Sequence, residues 1–165
     1  MVDSDAGGKG QSRPPTVEDL LHLCRELNRT GANPVVIGGM AIIHLGFARA
    51  TEDIDLLVDA APENQRRLRE ALMTLPDQAV RDMTDKDLDE YQVVRIADVI
   101  VVDLMKSAYG VSYREASAGI QWENVEGVPI PFAGAELLWK LKQAPRAKDE
   151  VDRSFLRVLL GIEGG

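Results

Sequence analysis

The sequence predicts a mixed α/β domain, an α+β arrangement in which helices flank a small mixed sheet. Three observations predict it. Apolar residues recur at helical spacing near both ends of the chain, as in Leu20, Leu21, Cys24 and Leu27. Short β-branched runs, "NPVVIGG" and "VIVVDLM", read as buried strands. Helix-like and strand-like stretches alternate along the first half, whereas the last third is helical. At 165 residues the chain can build one core, placed here over 15–165. Residues 1–14, rich in Gly, Ser and Asp, are expected to form a disordered tail.

Each element has its own signal. Thr16 is an N-cap for a helix with Glu18 and Asp19 in its first turn, and Gly31 ends that helix. "NPVVIGG" is the first strand, "MAIIHLGF" a short helix and "EDIDLLVD" a second strand. "PENQRRLREALMTL" places leucines at 68, 72 and 75 among charges, which marks an amphipathic helix. "TDKDLDEY" suits one helical turn. "YQVVRIADVIVVDLM" is two strands joined near Ala97-Asp98, or one long bent strand. "SAYGVSYREASA" is expected to be irregular or weakly helical. "IQWENVEGVPIPF" carries Glu-Gly between two strand-like runs and suits a hairpin. Pro145 breaks the C-terminal stretch into two helices.

Composition narrows the function classes. The net charge of −8 argues against an extended grip on nucleic acid, though it permits a local basic patch. The single cysteine, Cys24, excludes an internal disulfide and suits a reducing compartment; its place on an apolar helix face points to the core. No apolar run reaches ~18 residues, and the N-terminus lacks an apolar signal core, so the expected location is cytoplasmic, with no membrane partner.

Chemistry concentrates in "IGGMAIIHLGFARATEDIDLLVD". On a strand, Asp53, Asp55 and Leu57 share one face and Ile54, Leu56 and Val58 the other. The two carboxylates then stand ~6.6 Å apart along the strand. At that spacing they repel by about 2.5 kcal/mol at an effective dielectric of about 20. A divalent cation reverses the sign of that interaction, and oxygen donors suit a hard ion such as Mg²⁺. The plain alternative puts both aspartates at an exposed strand end. Asp103, inside the most apolar strand, adds weight to the metal reading, because a buried aspartate needs a partner or an ion. If the two strands are neighbours, three acids converge and can hold two ions.

Gly38-Gly39 lies where a strand meets a helix, either as a tight turn or as a place where backbone approaches a phosphate. Arg49 precedes the aspartates and can meet phosphate or a helix end. His44 and His22 suit packing or exposure. Trp139 suits the core, and Trp122 is open.

With these residues in view, the chain resembles the nucleotidyltransferase superfamily that shares the DNA polymerase beta-like catalytic domain. Ile37-Gly38-Gly39, then Asp53 and Asp55, then Asp103 match its pattern of Gly-Gly, Asp-x-Asp and a later acid. "GGMAIIHLGFARATEDIDLLVDAAPENQRRLREAL" and the ending "LKQAPRAKDEVDRSFL" are similar to small bacterial stand-alone members, some of which occur in toxin–antitoxin or abortive-infection contexts. The resemblance implies a polymerase beta-like fold with C-terminal helices, two Mg²⁺ ions and an NTP as substrate. It implies that Gly38 and Gly39 bind triphosphate, that Asp53 and Asp55 ligate both metals, and that Asp103 ligates the catalytic one and assists proton removal. It implies that Lys142 or Lys140 reaches a phosphate, although lysine on a helix is usually solvated. Arg146 and Lys148 can pair instead with Asp149 or Asp152.

The expected activity is therefore Mg²⁺-dependent transfer of a nucleoside monophosphate to a small molecule, a protein or an RNA end, with pyrophosphate released. The expected partners are the NTP, that acceptor and a toxin–antitoxin partner protein. The rival is a catalytically inactive, antitoxin-like binding protein of the same fold.

Overall fold

The computed structural model describes residues 2–3 and 11–162, so most of the expected tail, residues 1 and 4–10, lies outside the described residues. Of the rest of that stretch, Val2–Asp3 is a short strand, β1, and residues 11–14 have no regular structure. Ser12 and Arg13 are tied to a turn in mid-chain: Ser12 Oγ donates to Asp98 O at 2.6 Å, and Arg13 N to Val99 O at 3.0 Å.

Helix α1 (Val17–Thr30) starts as expected. The Thr16 side chain accepts from Asp19 N while Asp19 accepts from Thr16 N, a reciprocal cap. Arg13 grips Asp19 at 2.6 and 2.8 Å and pushes its carboxyl down to about 2. Gly31, at φ +80°, closes the helix in the left-handed conformation that favours glycine. Strand β2 (Val35–Ile37) runs into α2 (Gly38–His44), and β3 (Asp53–Leu57) into α3 (Pro62–Leu72). Proline at the first position of α3 forfeits no intrahelical bond. A 3-10 turn (Ala79–Asp82) and the single-turn α4 (Asp87–Glu90) lead to the hairpin of β4 (Val94–Ala97) and β5 (Val101–Met105). The bend between these strands is fixed by Asp98, which is buried and accepts from the backbone of Asp77, Ala79 and Val99.

The segment expected to be irregular or weakly helical does hold a short helix, preceded by a hairpin that was not expected. Ser107–Ala108 (β6) and Val111–Ser112 (β7) form a small hairpin of their own, followed by α5 (Tyr113–Ser117). Its strands are only two residues long, too short for an alternation signal. β8 (Ile120–Val125) and β9 (Val128–Ala133) make the hairpin expected at Glu126-Gly127. α6 (Ala135–Leu141) and α7 (Ala147–Leu160) are the two helices separated at Pro145.

The seven strands of the mixed sheet run β1-β4-β5-β3-β2-β9-β8. β3 pairs parallel with β5 and antiparallel with β2, and β4 pairs antiparallel with β5. Ile54, Leu56, Val102 and Leu104 are fully buried in the middle of the sheet. α1 packs on α3 and β9, while α2 lies on β2 and β3, with α6 against it and α7 against α6. Among the described residues, no helix is long and apolar enough to cross a membrane.

Candidate active site

Strand pairing aligns the acids. Asp55 on β3 is the register partner of Asp103 on β5 and, on its other side, of Ile37 at the end of β2. Arg95 on β4 is the partner of Asp103. A lateral row of Ile37, Asp55, Asp103 and Arg95 thus crosses four strands. Asp53 is two residues from Asp55 and shares its face. The three aspartates bring one carboxylate oxygen each to within 4.8 Å of one another. Sequence neighbours therefore meet a distant acid through sheet register alone.

The cluster is electrostatically strained. Burial, then Asp53 and Asp103, push the Asp55 carboxyl up to about 8. Burial and then Asp103 also raise Asp53, while Lys148 and Arg95 oppose the rise. Arg95 offsets part of the charge. Its Nε and Nη2 donate to the two oxygens of Asp103, both at 3.0 Å, and Nη2 reaches Asp53 Oδ2 at 3.5 Å. The donor set is all carboxylate, without thiol or imidazole, and its mutual repulsion is what a hard divalent cation relieves. The residues fit Mg²⁺.

The two glycines open α2 rather than precede it. Gly38 has φ +67°, and a Cβ there would fall on the Asp55 carboxylate. A Cβ on Gly39 would fall on Thr51 Oγ1 and lie 3.2 Å from Arg49 Nη1. Gly38 supplies the positive φ of a tight turn, and both glycines let the chain's own Asp55, Thr51 and Arg49 come close. No side chain caps the N-terminus of α2.

A wall of cations shares with the acids a cleft of about 810 Å³, whose lining includes Arg49, Lys142, Arg146 and Lys148. Lys142 is not a solvated surface lysine. It is 6% exposed, with Nζ 3.3 Å from Asp149 and 3.0 Å from Asp152, both fully buried on α7. Arg49 lies 2.8 Å from Asp152 through Nε, and its Nη2 donates to the same carboxylate at 2.9 Å. Arg146 donates to Asp149 at 2.6 Å, the pairing anticipated for it. Lys140, the alternative to Lys142, is exposed.

Sequence reasoning missed three things. Arg95 carried a signal, a lone arginine in the apolar run "VVRIA", but its partner emerged only with the hairpin register. Asp149 and Asp152 were weighed as surface helix pairs, whereas they are the buried anchors of the cation wall. Tyr109, in the unexpected β6–β7 hairpin, lies on the cleft lining. Other candidates stay outside. His44 stacks on Phe132 at 3.9 Å, and His22 meets Thr74 Oγ1 at 3.3 Å. Cys24 is buried in the core, which pushes its thiol up to about 12. Trp139 packs against the core with Arg157 over its ring at 5.5 Å, and Trp122 is exposed.

Comparison with known proteins agrees with this geometry. The family model described as "Nucleotidyl transferase AbiEii toxin, Type IV TA system" matches residues 23–120. That span holds the glycines and all three aspartates. The fold is similar to the crystal structure of an antigenic nucleotidyltransferase-like protein from Paracoccidioides brasiliensis, with a TM-score of 0.54 and 19% identity over 88% of this chain and 78% of that one. No curated protein matches the chain significantly. With more than half of its residues under the family model and its sheet, glycine turn and acids arranged as described, this chain belongs to the AbiEii nucleotidyl transferase family of the nucleotidyltransferase superfamily.

Proposed function

We propose that the protein transfers a nucleoside monophosphate from an NTP to an acceptor hydroxyl or amine, releasing pyrophosphate. The convergence of Asp53, Asp55 and Asp103 within 4.8 Å, in a cleft shared with a cationic wall, carries the reading. Asp53, Asp55 and Asp103 would hold Mg²⁺, which supplies charge neutralisation and polarisation at the reacting phosphate. Lys142 and Arg49, held by Asp149 and Asp152, face the same cleft and are placed to attract the triphosphate. Gly38 and Gly39, whose missing side chains let Asp55, Thr51 and Arg49 close in on the first turn of α2, would bind the triphosphate through that turn's backbone. The acceptor atom attacks the α-phosphorus, the bond to the bridging oxygen breaks, and pyrophosphate leaves. The acceptor's proton passes to a carboxylate, a role we assign to Asp103, whose orientation Arg95 fixes with two hydrogen bonds.

The family's description as a type IV toxin–antitoxin component supports an antitoxin as partner. The cleft's own rim or a second subunit would build the acceptor site. The test is equilibrium binding of ATP, GTP, CTP and UTP with and without Mg²⁺, followed by pyrophosphate release with cellular RNA, protein and small metabolites. Asp53→Ala should keep the fold and lose metal-dependent binding. Unchanged binding in that variant would overturn the proposal.

A further inference from the structure

The β6–β7 hairpin places an aromatic ring where local backbone preferences disfavour one. Ser107 pairs with Ser112 and Ala108 with Val111, which leaves Tyr109-Gly110 as a two-residue turn. Both turn residues have positive φ, +49° and +78°. Such a turn prefers Asn, Asp or Gly at its first position, and a bulky side chain there is crowded against its own backbone. The β8–β9 hairpin has the same turn geometry at Glu126-Gly127, with φ +49° and +83°. Its glutamate is not part of the cleft lining, whereas Tyr109 is.

Packing does not explain Tyr109. Its side chain is 53% exposed, so the core gains little from it. Trp122, similarly exposed at 54%, does not line the cleft. Tyr109 shares the cleft lining with Arg146, which is itself gripped by Asp149. An exposed ring and a fixed guanidinium on one cleft, which also holds the three carboxylates, offer a flat apolar face and a cation together. A nucleotide has the two complementary parts, a planar base and an anionic phosphate. A strained, solvent-facing residue at a site is a reason to look for a function.

We propose that Tyr109 is a nucleobase-stacking residue at the mouth of the cleft. The proposal rests on the nucleotidyl-transfer reading, because that reading brings a base into the cleft. The base belongs to the incoming NTP or to the acceptor, and the stacking chemistry is the same for both. Stacking tolerates any base, so Tyr109 sets affinity and position more than base identity.

The test uses the full chain with Mg²⁺ and three probes: ATP, a short single-stranded oligoribonucleotide, and inorganic tripolyphosphate, which has no base. Tyr109→Asn suits the turn and should melt no lower than the parent, so a loss of binding is not a loss of fold. Tyr109→Phe keeps the ring. Tyr109→Asn should bind at least one base-bearing probe about ten-fold more weakly, Tyr109→Phe should match the parent, and tripolyphosphate should bind all three proteins alike. A loss confined to ATP assigns the ring to the NTP, and a loss confined to the oligonucleotide assigns it to the acceptor. Equal affinity of Tyr109→Asn and the parent for both base-bearing probes, with Asp53→Ala still abolishing ATP binding, overturns the stacking role alone. A parent that binds none of ATP, GTP, CTP and UTP, and no oligoribonucleotide, overturns both the stacking role and the transfer reaction.

Discussion

Arg95 and Asp103 face each other across β4 and β5, joined by two hydrogen bonds of 3.0 Å. The guanidinium fork matches the carboxylate and also leans toward Asp53. Without a metal, this arginine is the cation closest to the acid cluster. Arg95→Met should therefore destabilise the metal-free protein by about 1–2 kcal/mol, a range reduced for the partial exposure of the arginine. Millimolar Mg²⁺ should restore most of that loss. Thermal melts with EDTA and with Mg²⁺ measure both effects, and equal melting of variant and parent in EDTA would contradict the role given to Arg95.

Asp55 gives the pH dependence its sign. Its carboxyl is pushed up to about 8 in the folded chain, by burial first and then by its two acidic neighbours. A folded value above the unfolded one means that the native state binds the extra proton. Stability of the metal-free protein is then complete below the ordinary carboxylate range and declines as pH rises toward about 8. Metal binding expels that proton, so affinity for Mg²⁺ should climb steeply from pH 6 to about 8 and flatten above it. Urea titrations in EDTA should lose stability between pH 5 and 8 on the order of a few kcal/mol. Asp55→Asn should remove most of that slope, the remainder belonging to Asp53, which burial also raises. A flat profile in the parent would refute the assignment.

Gly38 couples the turn to the metal ligands. With φ +67° and no room for a Cβ beside the Asp55 carboxylate, Gly38→Ala meets both backbone strain and a collision. The strain alone is worth about 1–2 kcal/mol, and the collision adds to it. Because the colliding group is a proposed ligand, the variant should lose Mg²⁺ affinity beyond what its lowered melting temperature explains. Calorimetric titration of Mg²⁺ well below that temperature would show it; parental affinity would separate Gly38 from the site.

Asp152 is shared by Lys142 and Arg49 and is fully buried. Asp152→Asn keeps the shape and removes the charge that holds both cations. Asp149 still faces Lys142, so the expected loss of stability is moderate, about 2–3 kcal/mol. Loss of NTP affinity should accompany it, with Mg²⁺ binding at the acid cluster nearly unchanged. Weakening of both ligands to the same degree would mean that the two halves of the cleft are not separable.

Much of this arrangement was legible in the sequence because the signals are local. Thr16 and Gly31 bound α1, Pro145 breaks the C-terminal helices, and Gly38-Gly39 with Asp53 and Asp55 lie within one strand–helix–strand passage. Asp103 was legible as a charge in an apolar run, though its meeting with Asp55 needed the parallel pairing of β3 and β5. What escaped depends on distance along the chain. Arg49 and Asp152 are separated by 103 positions, and no periodicity links them. Arg146 and Lys148 precede Asp149 and Asp152 by three and four positions, spacings that suit surface ion pairs equally well, and only the packing of α7 buries the two acids. The β6–β7 hairpin escaped because two residues per strand cannot display a repeat.

The transverse row from Ile37 to Arg95 makes the centre intolerant of length changes. One residue inserted within β5 would invert its facing, swing Asp103 to the far side of the sheet and present an aliphatic neighbour in its stead. All four of its members belong to paired strands, so the acidic floor of the cleft behaves as a stiff anvil. Extra or missing residues in the small β6–β7 hairpin, whose two strands pair only with each other, leave the anvil in place.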